Sequence, residues 1–299
     1  MEYRIFMQTC RNRRIYEHLK ILSCGAGQQS TALALMSCEN AVTPGKFPLV
    51  PVYDAVLFCD LGGEPEHVYL QVRFIAAACE QAGIPFYVLK DKNLYDDILV
   101  NYGKARVTLI PFWSLNAEGK PGRMRRNCTI DYKILQMQNF VRWELLGYKK
   151  GERTRPEDIK AHEMHIGFTY EEAQRIFDNQ HKLFVNKFPM CEMGITRADN
   201  YAYVKEVWGL ETKGSACLFC PFHTNYFFQY IKEHRPDDYR KVLALDRVIE
   251  EAVPNKRIGV PDSQVFISRS RKRIRDLLPE DCFDKQCFDY CGQQVWNGF

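Results

Sequence analysis

Residues 19–33 of the 299-residue chain read LKILSCGAGQQSTAL, and this stretch predicts the fold. Ile21 and Leu22 end an apolar run that suits a buried parallel strand. Residues 23–29 are small and polar, and residues 30–36 have the composition of the first turns of a helix capped by a hydroxyl. A strand, a small-residue loop and a helix direct backbone N–H groups at an anion. The stretch predicts a phosphate-binding loop, although an ordinary strand-to-helix turn explains it equally well.

The composition is that of a globular chain with enough apolar residues for a large core. Hydrophobic residues make up 46% of the sequence and charged residues 26%, and no run approaches the roughly 18 apolar residues of a membrane span. The N-terminus lacks the apolar segment of a secretory signal, so the sequence predicts a cytoplasmic protein with no membrane partner. Its twelve cysteines are then expected to be mostly thiols. Four of them lie in apolar elements and are predicted core residues: Cys24, Cys38, Cys59 and Cys79.

Positive charge is clustered along the chain, although the net charge is only +4. Such clusters are usually solvated faces, but they also suit contact with a polyanion such as DNA or tRNA. The clusters are Arg11 to Arg14, Arg123 to Arg126, Lys149 to Arg155 and Arg269 to Arg275. Among them, residues 268–273 are the best candidate for a nucleic-acid contact.

Strand and helix patterns alternate along the first part of the chain. Residues 53–59 predict a second strand, a helix starts at Pro65, and residues 86–89 predict a third strand. This alternation predicts an α/β fold with a doubly wound parallel sheet, whose ligands bind at the carboxyl ends of the strands. We expect this Rossmann-like domain over residues 1–210 and a helical, cysteine-rich region over residues 211–299.

The alternating pattern is lost in the middle of the chain. Between residues 107 and 127, prolines and glycines interrupt a polar and basic segment, and this composition predicts a long loop. Residues 134–146 then have a strong helical pattern. The loop would deliver Arg126, Cys128 and Lys133 to the start of that helix, where a cation close to a thiol lowers the pKa of the thiol and binds anions.

Several motifs resemble, in the same chain order, those of the phosphoadenosine phosphosulfate (PAPS) reductase-like family of the adenine nucleotide alpha-hydrolase (PP-loop ATP pyrophosphatase) superfamily. They lie in residues 23–31, 60–65, 125–133, 166–175 and 187–199. The loop differs from that of the pyrophosphatase branch, which usually has an aspartate where this chain has Gln29. This difference favours the PAPS reductase branch.

The resemblance implies which residues bind an adenine nucleotide, either ATP or PAPS, with Mg²⁺ as a candidate companion ion. The implied nucleotide-binding residues are Ser23, Gly25, Ala26, Gly27, Gln29, Ser30, Thr31, Asp60 and Gly167. Four cations are implied to bind the phosphate or sulfate group of the nucleotide: Arg126, Lys133, Arg175 and Arg197.

Cys217 and Cys220 form the most specific motif in the chain, a C-x-x-C followed by proline. Two sulfurs on one tight turn can bind one metal or act as a redox dithiol. The resemblance to iron–sulfur relatives of the family implies a four-iron cluster bound by Cys128, Cys191, Cys217 and Cys220. Cys191 is included because a fourth ligand is needed. Structural zinc and free thiols remain alternatives.

Two further cysteines, Cys287 and Cys291, lie near the C-terminus. Their segment resembles the cysteine tail of uncharacterised relatives, and sulfate-reducing relatives keep a nucleophilic cysteine on such a tail. The resemblance therefore implies a catalytic role for Cys287 or Cys291. A second metal-binding clip is the alternative.

The resemblance implies an enzyme, and two activities are compatible with it. The first is PAPS reductase-like reduction of an activated sulfate. The second is ATP-dependent sulfur transfer to DNA or tRNA, which the basic clusters favour. A regulatory or defence protein that binds nucleotide and metal without turnover is the alternative of another class. Either enzyme would need a sulfur or electron donor protein, and homo-oligomer formation is left open.

Overall fold

The computed structural model describes residues 18–281, which form two compact units. The first unit consists of residues 18–59, 69–89 and 136–212, and the second of residues 60–68, 90–135 and 213–281. The last change of unit falls close to the division predicted after residue 210. However, the second unit also takes two earlier segments, so the units are interleaved along the chain rather than consecutive.

Within residues 18–281, eight strands form two sheets. They are β1 (Lys20–Ser23), β2 (Ala55–Cys59), β3 (Phe86–Leu89), β4 (Trp113–Leu115), β5 (Pro121–Arg123), β6 (His162–Ile166), β7 (Phe184–Lys187) and β8 (Gln264–Phe266). In the first unit, five strands lie in the order β3-β2-β1-β6-β7, and every neighbouring pair is parallel. This order confirms the predicted α/β fold with a parallel sheet. The chain builds outward from β1 to β3 and then returns to add β6 on the other side of β1.

The helices between the strands agree with most of the predicted segments. They are α1 (Gln28–Val42), α2 (Glu66–Gln81), α3 (Leu94–Asn101), α4 (Leu135–Phe140), α5 (Pro189–Glu192), α6 (Arg197–Trp208), α7 (Asn225–His234) and α8 (Pro236–Glu251). Short 3-10 helices span Pro156–Asp158, Tyr170–Arg175, Lys256–Ile258, Ile274–Asp276 and Pro279–Asp281. The helix predicted over residues 134–146 starts earlier, because π-helical turns at Ile130–Ile134 and Val141–Leu145 flank α4.

The core of the first unit is built around β2 and α1. All five residues of β2 are buried, as expected of a parallel strand that is covered on both faces. Helix α1 is small and apolar around most of its circumference and packs against β1 and α6, so nearly all of it is buried. The predicted core cysteines are indeed buried: Cys24, Cys38, Cys59 and Cys79.

The second unit contains a small antiparallel sheet in the order β5-β4-β8, against which α8 packs. The prediction of a loop over residues 107–127 is therefore wrong in part, because β4 and β5 form a hairpin there. Each strand has only three residues, and β4 pairs with β8, which follows about 150 residues later. Strands this short do not give a detectable alternating pattern.

Among the helices of residues 18–281, none combines the length and the apolar content that a membrane span requires.

Candidate functional site

The predicted phosphate-binding loop connects β1 to α1 in the first unit. The helix begins at Gln28, two residues earlier than predicted, and its N-cap is Gly27 rather than a hydroxyl residue. Within the described chain no side chain caps this helix, and the Ser30 hydroxyl instead donates to the Gly27 carbonyl at 3.4 Å. No acidic residue lies in the first turn. The first backbone N–H groups and the positive end of the helix dipole can therefore bind an anion.

The loop backbone is held in a defined and unusual conformation. Ala26 has a φ of +52°, in the left-handed region that residues with a side chain rarely adopt. The side-chain amide of Gln71 donates to the Ala26 carbonyl, and the Cys24 N–H donates to the Leu57 carbonyl at 2.9 Å. Backbone strain of this kind is characteristic of ligand-binding loops. Its position between Gly25 and Gly27 agrees with the predicted phosphate-binding role.

Gly167 brings the end of β6 against the start of α1. Ser23 pairs with Ile166, so the carboxyl ends of β1 and β6 are adjacent. A Cβ atom on Gly167 would lie 2.9 Å from the backbone nitrogen of Ser30 and 3.0 Å from the carbonyl carbon of Gln29. The strand order reverses between β1 and β6, and ligands of open α/β sheets bind at this switch point. The structure thus brings Gly167 together with the predicted loop residues.

Glu172 is a site residue that the sequence analysis did not select. It is 1% exposed and accepts a hydrogen bond from the Gln29 side-chain amide at 3.0 Å. Its carboxylate also forms ion pairs with Arg175 and, at 3.4 Å, with Arg197. One buried carboxylate therefore holds a loop side chain and two predicted anion-binding cations in place. The acidic residue of the motif in residues 166–175 was the available signal.

Asp60 follows β2 and makes its described contacts within the second unit. One carboxylate oxygen accepts a hydrogen bond from the Gly62 N–H at 2.9 Å, and the other lies 3.5 Å from the Lys90 ammonium. These contacts stabilise the turn from Asp60 to Gly62. The role of Asp60 in nucleotide binding stays a prediction.

The second unit brings the C-x-x-C motif together with two of the predicted cations. Cys217 and Cys220 lie on one tight turn, with the Cys220 N–H donating to the Cys217 carbonyl at 2.9 Å. A hydrogen bond from the Cys217 thiol lowers the pKa of Cys220 to about 7; burial opposes this shift, and the charges of Arg126 and Lys133 add to it. The pKa of the Cys217 thiol is raised in turn by the same hydrogen bond and by burial. Cys220 is therefore the sulfur that ionises first.

Cys128 belongs to the same electrostatic environment. Burial raises the pKa of its thiol, the charge of Cys220 raises it further, and the charges of Arg126 and Lys133 oppose the shift. The Arg126 guanidinium also lies 5.4 Å from the centre of the Phe222 ring, just beyond the C-x-x-C motif. Three of the four predicted metal-binding cysteines and two of the predicted cations therefore belong to one neighbourhood of the second unit.

Glu64 is the second residue that the sequence analysis did not select as a site residue. It is only 2% exposed, and among the residues that the structure describes neither carboxylate oxygen has a hydrogen-bond partner. Burial raises the pKa of Glu64 to about 7; the charge of Lys133 opposes the shift, and the charges of Asp60 and Cys220 add to it. The Gly-Gly-Glu-Pro sequence after β2 was the signal in the sequence.

Cys191, the fourth predicted metal ligand, lies in the first unit. Its thiol is 3.1 Å from the carbonyl oxygens of both Phe168 and Thr169 and donates to this pair. Burial raises the pKa of the thiol, and the charge of Glu172 adds to the shift. A role in metal binding stays a prediction, which these contacts do not support.

The donor types of the second unit, three thiols and a buried carboxylate, are of the kind that bind iron, and a metal site here stays a prediction. Within residues 18–281, no group of three or more His, Cys, Asp and Glu side chains is placed to hold a metal ion. Each protein ligand of a four-iron cluster binds a different iron, so such ligands are spaced more widely than those of a single ion. Three thiols and a buried carboxylate without a partner are donors that such a cluster can use.

Two of the four cations in the candidate nucleic-acid contact at residues 268–273 are paired with carboxylates. Arg273 is mostly buried and forms ion pairs with Asp246 and Glu250, and Lys272 pairs with Asp281. These carboxylates reduce the positive potential that the sequence predicted. The tail residues Cys287 and Cys291 and the cluster from Arg11 to Arg14 lie outside the described residues.

The comparisons with known proteins add little to this description. No family model matches the chain, and no curated protein matches it. Among solved structures, the chain is similar to the U34-tRNA thiolase NcsA from Methanococcus maripaludis with its [4Fe-4S] cluster, at 12% sequence identity and a TM-score of 0.36, covering 79% of this chain and 74% of that chain. This TM-score is lower than chains of one shared fold give, so the function is argued below from this chain's own residues.

Proposed function

We propose that the protein is an adenine-nucleotide-binding enzyme of sulfur transfer. The observation that carries the proposal is the contact of Gly167 with Gln29 and Ser30, at the switch point of a parallel sheet and beside an uncapped helix start. Sites of this kind bind the phosphates of nucleotides. The resemblance of the loop to the adenine nucleotide alpha-hydrolase superfamily supports adenine as the base.

The cysteines of the second unit support the sulfur chemistry. The hydrogen bond from Cys217 lowers the pKa of the Cys220 thiol, so its thiolate forms more readily than that of an ordinary cysteine, and thiolate is the form that attacks electrophiles and binds iron. The Arg126 and Lys133 charges that favour this thiolate would also stabilise a bound anion. A four-iron cluster, held by Cys128, Cys217 and Cys220, would supply a redox-active sulfur-rich site when bound.

Two reactions fit these groups. In the reduction of PAPS, a thiolate attacks the sulfate sulfur and adenosine bisphosphate leaves; a second thiol then displaces sulfite and forms a disulfide, so that the thiols supply both electrons. In ATP-dependent transfer, an acceptor oxygen attacks the α-phosphorus and pyrophosphate leaves; inorganic sulfide then displaces AMP. The neutral Gln29 in the loop favours the first reaction.

One observation favours the second reaction, with a nucleic acid as acceptor. Arg123 precedes Cys128 on the same segment, is exposed, and lies 5.7 Å from the Trp113 ring and 5.3 Å from the Phe222 ring. Arginine and aromatic groups arranged in this way bind phosphates and stack on unpaired bases. Arg123 lies on the segment that carries Cys128, and Arg271 of residues 268–273 also lies 5.5 Å from the Trp113 ring.

The experiment uses full-length protein prepared anaerobically. Binding of ATP, PAPS and adenosine is measured first, and we expect the two phosphorylated ligands to bind and adenosine to bind at least about tenfold more weakly, because the loop binds phosphate. Products are then measured. Sulfite from PAPS indicates the first reaction, and pyrophosphate from ATP with RNA and sulfide indicates the second.

A second acidic residue of the first unit supplies the control. Glu172→Gln removes the charge that holds Gln29, Arg175 and Arg197, so we expect weaker nucleotide binding. Glu206→Gln changes an exposed residue near the end of α6 and should retain most of the affinity. Nucleotide binding with neither product would indicate the regulatory alternative, and no binding of ATP or PAPS would refute the proposal.

A further inference from the structure

Burial of the Glu64 carboxylate is energetically unfavourable unless the carboxylate has a cationic partner. Glu64 is 2% exposed, and in the described part of the chain neither of its oxygens has a hydrogen-bond partner. Leaving water without replacing the lost hydrogen bonds is strongly unfavourable for a carboxylate. Lys133 acts on Glu64 through its charge, but it makes no hydrogen bond to the carboxylate. A buried carboxylate without a hydrogen-bond partner destabilises the folded protein, so we expect Glu64 to have a functional role.

The residues on both sides of Glu64 hold it against the C-x-x-C segment. The Leu218 N–H donates to the Gly63 carbonyl at 2.7 Å, and the His67 side chain donates from Nε2 to the Gly214 carbonyl at 2.9 Å. Gly63 also contacts Phe219 so closely that a Cβ atom on Gly63 would lie 2.6 Å from that ring. Three contacts therefore align the short segment around Glu64 with the segment that carries Cys217 and Cys220.

The groups that surround Glu64 are those of the proposed metal–sulfur site. Its charge interacts with Cys220, which in turn interacts with Cys128 and is hydrogen-bonded to Cys217. The three cysteines supply three thiolate ligands, one fewer than a four-iron cluster with cysteine ligands alone requires. Cys191 lies in the other unit and donates its thiol proton to backbone carbonyls.

We propose that the carboxylate of Glu64 is the fourth, non-cysteine ligand of an iron–sulfur cluster bound by Cys128, Cys217 and Cys220. The inference rests on the proposed function, since it requires that the cysteines hold a cluster. Iron accepts carboxylate oxygen as well as thiolate, and as a cation it supplies the partner that the Glu64 carboxylate lacks. An oxygen ligand is also more readily exchanged than a thiolate, so the iron that it binds would be the one accessible to sulfide or substrate.

The test compares anaerobically reconstituted full-length proteins: the wild type, Glu64→Gln, Glu64→Cys and Glu66→Gln. The Gln variant keeps the shape of the side chain but removes the anionic ligand, and the Cys variant restores an anionic ligand as sulfur. Glu66 lies two residues away, is exposed and pairs with Arg235, so Glu66→Gln is the matched control. Iron and acid-labile sulfide per chain, the EPR spectrum after reduction, and the rate of iron loss to a chelator are measured.

We expect wild type and Glu66→Gln to give the same spectrum and to lose iron at the same slow rate. Glu64→Gln should lose iron at least about tenfold faster, as found when metal sites lose supporting groups, and mild oxidation should convert it to a three-iron cluster. Glu64→Cys should restore slow iron loss with a changed spectrum. Metal-free Glu64→Gln should be at least as stable to heat as metal-free wild type, because it no longer buries an unpaired carboxylate.

Each of the remaining outcomes would refute one part of the proposal. If wild type takes up no iron, the cluster itself is refuted, and the proposed function loses its metal site. If wild type binds a cluster and Glu64→Gln matches it in spectrum and iron loss, the cluster stands and the Glu64 ligand is refuted. If Glu64→Gln loses iron but its metal-free form is less stable to heat than wild type, Glu64 has a structural role instead.

Discussion

At the scale of single residues, the candidate nucleotide site depends on one position without a side chain. Gly167 directly follows β6, and the start of α1 occupies the space in which its Cβ would lie. The close atoms are backbone atoms of Gln29 and Ser30 and the Cβ atom of Gln29, which is fixed to the backbone, so they cannot move aside as the end of a flexible side chain would. Gly167 therefore sets the distance between β6 and the N–H groups proposed to bind phosphate.

Gly167→Ala should weaken nucleotide binding as well as destabilise the fold. The added methyl group pushes the start of α1 away, and overpacking of this kind costs about 1–3 kcal/mol of the free energy of unfolding. We expect the affinity for ATP or PAPS to fall by about tenfold or more, as measured by isothermal titration calorimetry.

Gly45→Ala is the control for this prediction. Gly45 has a φ of +84° but open space around it, so the substitution should lower stability by about 1 kcal/mol through backbone strain and leave nucleotide affinity unchanged. Equal affinity in Gly167→Ala and wild type would contradict the assignment of the loop.

At the scale of elements, β6 connects the site to the buried centre of the sheet. It lies between β1 and β7 and presents two buried histidines, His162 and His165. The Leu19 N–H donates to Nδ1 of His162 at 3.1 Å, and Nε2 lies 3.4 Å from an Asp158 oxygen. Nδ1 must therefore stay unprotonated for β6 to keep its contact with the residue that precedes β1.

The stability of the first unit should fall in mildly acidic solution. Burial lowers the pKa of His162 below its usual value of 6.5, although Asp158 opposes the shift. A histidine with a lowered pKa in the folded state contributes its stability above pH about 6.5, and this contribution is lost as the pH falls below that value. The loss is at most about 1.4 kcal/mol per pH unit for one group.

Chemical denaturation between pH 7.5 and pH 5 measures this effect. His162→Gln can still accept the Leu19 hydrogen bond but does not titrate, so its free energy of unfolding should fall less steeply than that of wild type. Burial also lowers the pKa of His165, so a smaller slope is expected to remain in the variant. Equal slopes for wild type and His162→Gln would show that His162 is not responsible.

At the scale of the whole molecule, the interleaved units determine which fragments can fold. The second unit takes residues 60–68 and 90–135 from the first half of the chain and residues 213–281 from the second. Strand β4 obtains one of its two partners, β8, from the later segment, with Trp113 opposite Phe266. A chain that ends near the predicted division at residue 210 would leave β4 without β8.

A fragment of residues 1–212 should therefore be locally unfolded around β4 and β5. A hairpin of such short strands is not stable on its own, so we expect hydrogen-exchange protection of residues 104–127 to fall by about tenfold or more relative to the full chain. Hydrogen exchange with mass spectrometry measures this, and β1 in the same fragment serves as the internal reference. Unchanged protection of residues 104–127 would show that the hairpin folds without β8.

The sequence predicted the parallel sheet and the loop because each depends on a short contiguous segment. The apolar run before Ser23, the small residues of the loop and the C-x-x-C turn can each be recognised within about ten residues. The start of α1 was misplaced by two residues, because the Gly27 N-cap has no side-chain signal. Glu172 and Glu64 lie in two of the motifs that resemble the family but were not predicted as site residues, because the sequence does not show that they are buried.

The class of fold, the position of the candidate phosphate loop and the cysteine pair can be read from the sequence, since local pattern and side-chain chemistry are sufficient for these. Which distant groups meet depends on the tertiary structure. Gln29 and Glu172 are separated by 143 positions, and Gly63 meets the C-x-x-C segment from a similar distance along the chain. The burial of Glu64 also depends on the packing around it. Contacts of this kind follow from the packing of whole elements, whose energies are shared among many residues and leave no local trace in the sequence.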